Sequence, residues 1–93
     1  MAVVMVQEVP GADAGLFEGM RQAGVVDALA TFPGFRGHWS GATSGGYRVI
    51  ELWESREAFQ EWYESHIAPN LPPGAETTSP EFFELSLELK PQP

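Results

Sequence analysis

Two segments of this chain are apolar at consecutive rather than alternate positions, and they constrain the fold more than any other feature. Val3, Val4, Met5 and Val6 form the first, and Val49, Ile50, Leu52 and Trp53 the second. Successive residues of a strand point to opposite sides of the pleat, so a strand that is apolar throughout must be covered on both faces. Such strands belong at the centre of a sheet.

The rest of the chain supplies the surrounding elements. Residues 2–9 read as a first strand, closed by Pro10-Gly11. A helix is expected over residues 14–30, with Asp13 as N-cap and Leu16, Phe17, Met20, Ala23 and Ala28 as its apolar stripe, weakened by Gly19 and Gly24. Pro33-Gly34 ends it. Residues 35–43 alternate as a second strand, with Arg36, His38, Ser40 and Ala42 on one face and Phe35, Gly37, Trp39 and Gly41 on the other. Only one of His38 and Trp39 can therefore line a given pocket wall.

Ser44-Gly45-Gly46 is a hairpin turn into a third strand over residues 47–54. Ser55 caps a second helix, with Glu57 favourable in its first turn. Ala58, Phe59, Trp62, Tyr63, His66 and Ile67 recur there on one face. Residues 69–80 read as a surface connector, with a lid or rim over a site as the alternative. Residues 81–90 alternate as a final strand, with Phe83, Leu85, Leu87 and Leu89 on one face, and residues 91–93 read as a disordered tail.

The order β-α-β-β-α-β predicts a single α+β domain over residues 1–93, the ferredoxin-like arrangement of one antiparallel sheet with two helices on one face. Two helices cover only one side. The other apolar face would stay wet in a monomer, which soluble chains rarely tolerate over more than a few hundred Å². Covering about 600 Å² of apolar area per subunit yields about 15 kcal/mol before association costs. A homodimer follows, its sheets packed face to face or closed into one barrel.

Composition excludes several functions. A net charge of −8 disfavours nucleic acid and anionic membranes as partners. The absence of cysteine excludes a disulfide framework and a thiolate metal site, and fits a cytoplasmic protein. The N-terminus lacks a basic region, and no stretch approaches the roughly 20 apolar residues that span a bilayer. No Gly-x-Ser-x-Gly elbow, no Ser-His-Asp set suggested by spacing and no phosphate-cradling loop is present. His38 and His66 are the only histidines, with no companion ligands at metal spacing, so neither metal nor organic cofactor is expected.

Four residues stand out as candidates for chemistry. His66, one helical turn after Trp62, is a candidate proton shuttle, and His38 is a second. Glu51 shares a strand face with Tyr47 and Trp53, where an ionised carboxylate is costly without a partner. It is expected either to serve as an acid or base or to pair with an arginine elsewhere, including across the dimer. Gln7, on the first central strand, is a candidate for orienting a substrate.

Several motifs carry a family resemblance: Pro10-Gly11 after the first strand, PGF at Pro33 to Phe35, a glycine hairpin before Tyr47, IELWESREAF at Ile50 to Phe59, and IAP at Ile67 to Pro69. Over nearly its whole length the chain resembles the dimeric α/β-barrel superfamily, and within it the antibiotic biosynthesis monooxygenase-like proteins. That resemblance implies a cleft between the helices and the sheet in each subunit, taking an apolar or aromatic small molecule. Its walls would include Phe17, Met20, Phe59, Trp62 and Tyr63. The haem-degrading members carry WxSxxxFxxW, matched here by Trp53, Ser55, Phe59 and Trp62, but Pro72 stands where their axial histidine falls.

The expected function is a cofactor-independent oxygenase of secondary metabolism, acting on an aromatic or polyketide-derived compound. A cyclase or isomerase of the same fold, working without oxygen, is one alternative. A non-catalytic binding dimer is the other.

Overall fold

The computed structural model describes residues 1–71 and 78–92. Strand β1 (Val3–Pro10) is followed by helices α1 (Ala14–Gln22) and α2 (Val25–Ala30), the hairpin β2 (Phe35–Thr43) and β3 (Gly46–Trp53), helix α3 (Arg56–Trp62) and strand β4 (Glu81–Glu84). All pairings are antiparallel, in the order β2-β3-β1-β4. The doubly apolar strands β1 and β3 are central, in a ferredoxin-like α+β fold.

The two sides of each central strand have different neighbours. Val3, Met5, Gln7 and Val9 of β1 are buried towards the helices, where Val25, Leu29, Phe59 and Trp62 meet them with Val49 and Trp53. On the opposite face Val4 pairs with Leu52 and Val6 with Ile50, flanked by Trp39 and Phe83, each 57% exposed. Among the described residues no helix lies over that face. The Trp39 ring lies across Gly37, where a Cβ would come within 2.6 Å of the indole.

Three expectations need correction. The helix over residues 14–30 is two helices, because Gly24 adopts φ 85° and the N–H groups of Ala23 and Gly24 turn back to the carbonyls of Gly19 and Arg21. Such a left-handed glycine ends a helix at little steric cost. Phe35 does not share a face with Trp39: the β2–β3 register slips between Phe35 and Gly37, so the extra residue turns Phe35 towards Trp53 and the helix side.

The last strand stops at Glu84 rather than at Lys90, and Leu87 and Leu89 are exposed. β4 pairs only with β1, and Leu85 donates a final hydrogen bond to Ala2. Of the connector over residues 69–80, residues 72–77 lie outside the described residues, as does Pro93 of the tail. Thr78 returns to β1 through its backbone N–H and side-chain hydroxyl, both bonded to the Glu8 carbonyl.

The second helix begins as its sequence predicts, with Ser55 accepting from the Ala58 N–H and Glu57 in the first turn. Beyond Trp62 it loosens into a π-helical turn over Tyr63–Ile67, then a 3₁₀ turn over Ala68–Asn70. Ser65 bonds back to the Glu61 carbonyl at 2.7 Å, a local contact that competes with regular helix bonding.

Candidate functional site

Between the helices and the inner face of the sheet lies a cavity of about 540 Å³. That volume lies within the range usual for small-molecule sites. Met5, Gln7 and Val9 of β1 and Tyr47, Val49 and Glu51 of β3 form its floor, and β2 adds Phe35, His38 and Ser40. Phe17, Met20 and Arg21 of α1, Leu29 of α2, and Phe59, Trp62 and Tyr63 close it from the helix side. The Phe17 and Tyr47 rings stack with centroids 4.1 Å apart, joining α1 to β3.

The polar centre of this apolar cavity is Glu51, which is 4% exposed. Its Oε1 accepts from Trp53 Nε1 at 2.9 Å, satisfying the only polar side-chain atom of a fully buried tryptophan. Its Oε2 lies 2.7 Å from His38 Nδ1. The partner of Glu51 is thus not the arginine expected from the sequence but an imidazole from the neighbouring strand, placed by the pairing of His38 with Glu51. Arg48, on the other face, bonds Glu8 instead.

A carboxylate that accepts from Nδ1–H fixes the imidazole tautomer and leaves Nε2 as the free base. Nε2 lies 2.9 Å from the Ser40 hydroxyl, which also lines the cavity. The alternation of β2 places His38 and Ser40 on one face and Trp39 on the other, so His38 is the β2 histidine-or-tryptophan choice that reaches the site.

His66 stands elsewhere. Its ring stacks on Trp62 at 4.5 Å and 12°, meets Phe32 edge-on, and places Nδ1 2.7 Å from Ser65 Oγ; it is not among the residues lining the cavity. Trp62, 1% exposed, carries one face of the cavity while sharing its ring with His66. The other wall residues named from the sequence, Phe17, Met20, Phe59 and Tyr63, do meet at the cavity. Gln7 also reaches it, with its amide nitrogen donating to the Thr78 carbonyl at 2.9 Å.

Ser40, Arg21, Tyr47 and Phe35 line the cavity without having been singled out as site residues. Ser40 was legible from the period-two pattern it shares with His38. Arg21 follows Met20 on α1, one position off the apolar stripe. Phe35 was hidden by the bulge.

Haem can be tested against these donors. An axial imidazole needs a nitrogen that can face the cavity, and the only described histidine lining it is His38, whose Nδ1 is bonded to Glu51 and whose Nε2 lies 2.9 Å from Ser40 Oγ. Residues 72–77, including Pro72, supply no histidine, cysteine, methionine or tyrosine. A histidine-ligated haem would therefore depend on His38 Nε2 giving up the Ser40 hydroxyl, on the edge strand rather than after the last helix where Pro72 stands. Among the described residues no group of three or more histidine, aspartate or glutamate side chains is placed to hold a metal ion, and no helix is long and apolar enough to cross a membrane.

A sheet of order β2-β3-β1-β4, with helices on one face and an apolar cavity beneath them, defines a ferredoxin-like fold. No family model matches the sequence, and no curated protein does. Among solved structures, a point mutant of MhuD with two manganese protoporphyrin IX groups bound per active site is 30% identical, with 95% of this chain and 98% of that one aligned at a TM-score of 0.63. MhuD from Mycobacterium tuberculosis, described as a haem degrader with two haems in its active site, is 28% identical over 95% and 99%, TM-score 0.58. SnoaB, a cofactor-independent oxygenase from Streptomyces nogalater, shares the fold at 19% identity over 95% and 96%, TM-score 0.61. The chain belongs to the antibiotic biosynthesis monooxygenase-like family of dimeric α/β barrels.

Proposed function

We propose that this protein is a cofactor-independent oxygenase acting on an electron-rich aromatic compound, with His38 as its base. The observation that carries this reading is an apolar cavity whose interior charge, Glu51, is bonded to a histidine that faces the same space. His38 Nε2 takes a proton from a hydroxyarene held between Trp62 and the sheet. Glu51 is a positioning residue: it holds the tautomer and stabilises the imidazolium that forms. Tyr63 and Gln7 stand on the cavity wall, where they contact the bound ring.

The carbanion so formed is the reductant. It transfers electrons to dioxygen, a C–O bond forms, and an activated CH₂ becomes C=O with one oxygen atom leaving as water. Removing water disfavours a bare anion, so the carbanion depends on delocalisation over the ring and on the imidazolium formed beside it. MhuD and its haems suggest a second chemistry for the family, but Pro72 stands here where the axial histidine of the haem-degrading members falls.

We infer that the working unit is a homodimer. The face carrying Val4, Val6, Trp39, Ile50 and Phe83 is the surface a second copy would cover, in keeping with the dimeric barrel family. Oxygen uptake with a reduced hydroxyarene, by metal-free protein, tests the activity. Turnover of the same compound without oxygen consumption would instead support a proton-moving cyclase or isomerase, and binding without turnover an accessory role.

A further inference from the structure

The structure assembles a group that no sequence motif announced. Glu51 Oε2 lies 2.7 Å from His38 Nδ1, and His38 Nε2 lies 2.9 Å from Ser40 Oγ, with all three residues lining one cavity. The carboxylate comes from β3, and the imidazole and hydroxyl come from alternate positions of β2. We infer that Ser40, His38 and Glu51 form a nucleophilic triad, and that the cavity accepts carboxylic esters or thioesters with an apolar acyl or aryl group. The inference shares His38 with the oxygenase reading but requires no oxygen.

The geometry matches the roles such a triad needs: a hydroxyl within reach of a base, and a base held by a third group. The Glu51 carboxylate is locked by Trp53 Nε1 on its other oxygen, so it cannot rotate away from His38 without losing a buried hydrogen bond. Nδ1 carries the proton, Nε2 accepts from the hydroxyl, and Ser40 is open to the cavity.

In the reaction, Ser40 Oγ forms a bond to the acyl carbon while its proton passes to His38 Nε2. The C–O or C–S bond to the leaving group then breaks, and that proton goes to the departing alkoxide or thiolate. Water attacks the acyl-serine by the same path and releases the acid. No oxidant or reductant is needed. Met5, Val9, Phe17 and Met20 offer the apolar wall for the acyl group.

Ser65 supplies an internal control. Its hydroxyl also lies 2.7 Å from a histidine nitrogen, His66 Nδ1, but that pair is outside the cavity and among the described residues no carboxylate bonds His66. Proximity of serine to histidine alone would treat the two sites alike. The triad predicts that they differ.

The test is covalent labelling of the full chain with an alkyl fluorophosphonate, read by intact mass and peptide mapping. Attack forms an Oγ–P bond, expels fluoride and sends the serine proton to His38. One adduct is expected, on Ser40 and not on Ser65, lost in Ser40→Ala and slowed at least about 100-fold in His38→Gln. Glu51→Gln, which keeps the shape but loses the carboxylate, slows labelling, and Glu51→Asp recovers part of the rate; a purely packing role would rank the two the other way.

No adduct, or an adduct on another residue, overturns the triad. Labelled Ser40 in a protein that consumes no oxygen sustains it and removes the oxygenase reading, while oxygen consumption without labelling does the reverse.

Discussion

Nδ1 of His38 lies 2.7 Å from Oε2 of Glu51, so an imidazole from the edge strand reaches a carboxylate inside the fold. The side chains are 31% and 5% exposed, an asymmetry that makes the carboxylate the member that depends on the pair. Removing the histidine leaves a buried acceptor with Trp53 as its remaining recorded partner. The cost of an unmet buried group is about 1–3 kcal/mol.

A double-mutant cycle on this pair should therefore be non-additive. His38→Ala destabilises the wild type more than it destabilises Glu51→Gln, with a coupling of about 0.5–3 kcal/mol. Urea unfolding of the four proteins measures it. Additivity would mean that the two side chains do not support each other.

Trp62 joins the core to the cavity wall, and its loss should register in both. Trp62→Ala is expected to cost about 3–5 kcal/mol, as for other buried aromatic truncations. His66→Ala, which removes a half-buried ring stacked on that tryptophan, should cost only about 0.5–1.5 kcal/mol. Chemical unfolding followed by tryptophan fluorescence compares the two, and equal losses would contradict the assignment of Trp62 as the more buried anchor.

Gly34 is fixed by both conformation and space. Its φ is 89°, and a Cβ there would stand 2.7 Å from Ala58 Cβ, beneath the hydrogen bond from Glu54 N–H to its carbonyl. Gly34→Ala should destabilise by about 2–4 kcal/mol, combining backbone strain with overpacking. Adding Ala58→Gly recovers the steric part alone. Thermal unfolding of the single and double variants separates the two contributions.

Trp39 and Phe83 are the exposed aromatics of the uncovered sheet face. Trp39→Asp should shift sedimentation at micromolar concentration from dimer towards monomer while far-ultraviolet circular dichroism stays unchanged. A wild-type protein that sediments as a monomer would remove the basis for this surface assignment.

Much of this architecture was legible because it rests on periodicity. Consecutive apolar residues marked β1 and β3 as central, and Asp13 and Ser55 marked helix starts that the structure retains. The break at Gly24 was less visible, since a glycine within an apolar stripe shows a weakened helix but not the left-handed backbone that divides it. The bulge beside Phe35 and the early end of β4 depend on strand pairing, which local pattern does not encode.

The site was legible residue by residue rather than as a constellation. Period two placed His38 and Ser40 together, but their meeting with Glu51 depends on the β2–β3 register. His66 drew notice from its helical spacing to Trp62, and the same spacing carries it onto the tryptophan ring instead of into the cavity. Aromatic wall positions fared better, because an apolar helix face directed at a sheet lines whatever space remains between them.

The proposed oxygenase chemistry requires His38, rather than His66, to be the base in the cavity. Steady-state oxygen consumption with a reduced hydroxyarene, compared among wild type, His38→Gln and His66→Gln, distinguishes the two. A loss in kcat of about 100-fold or more is expected at His38, the usual worth of a general base, and a change of about threefold or less at His66. A large loss at His66 with His38→Gln fully active would contradict it.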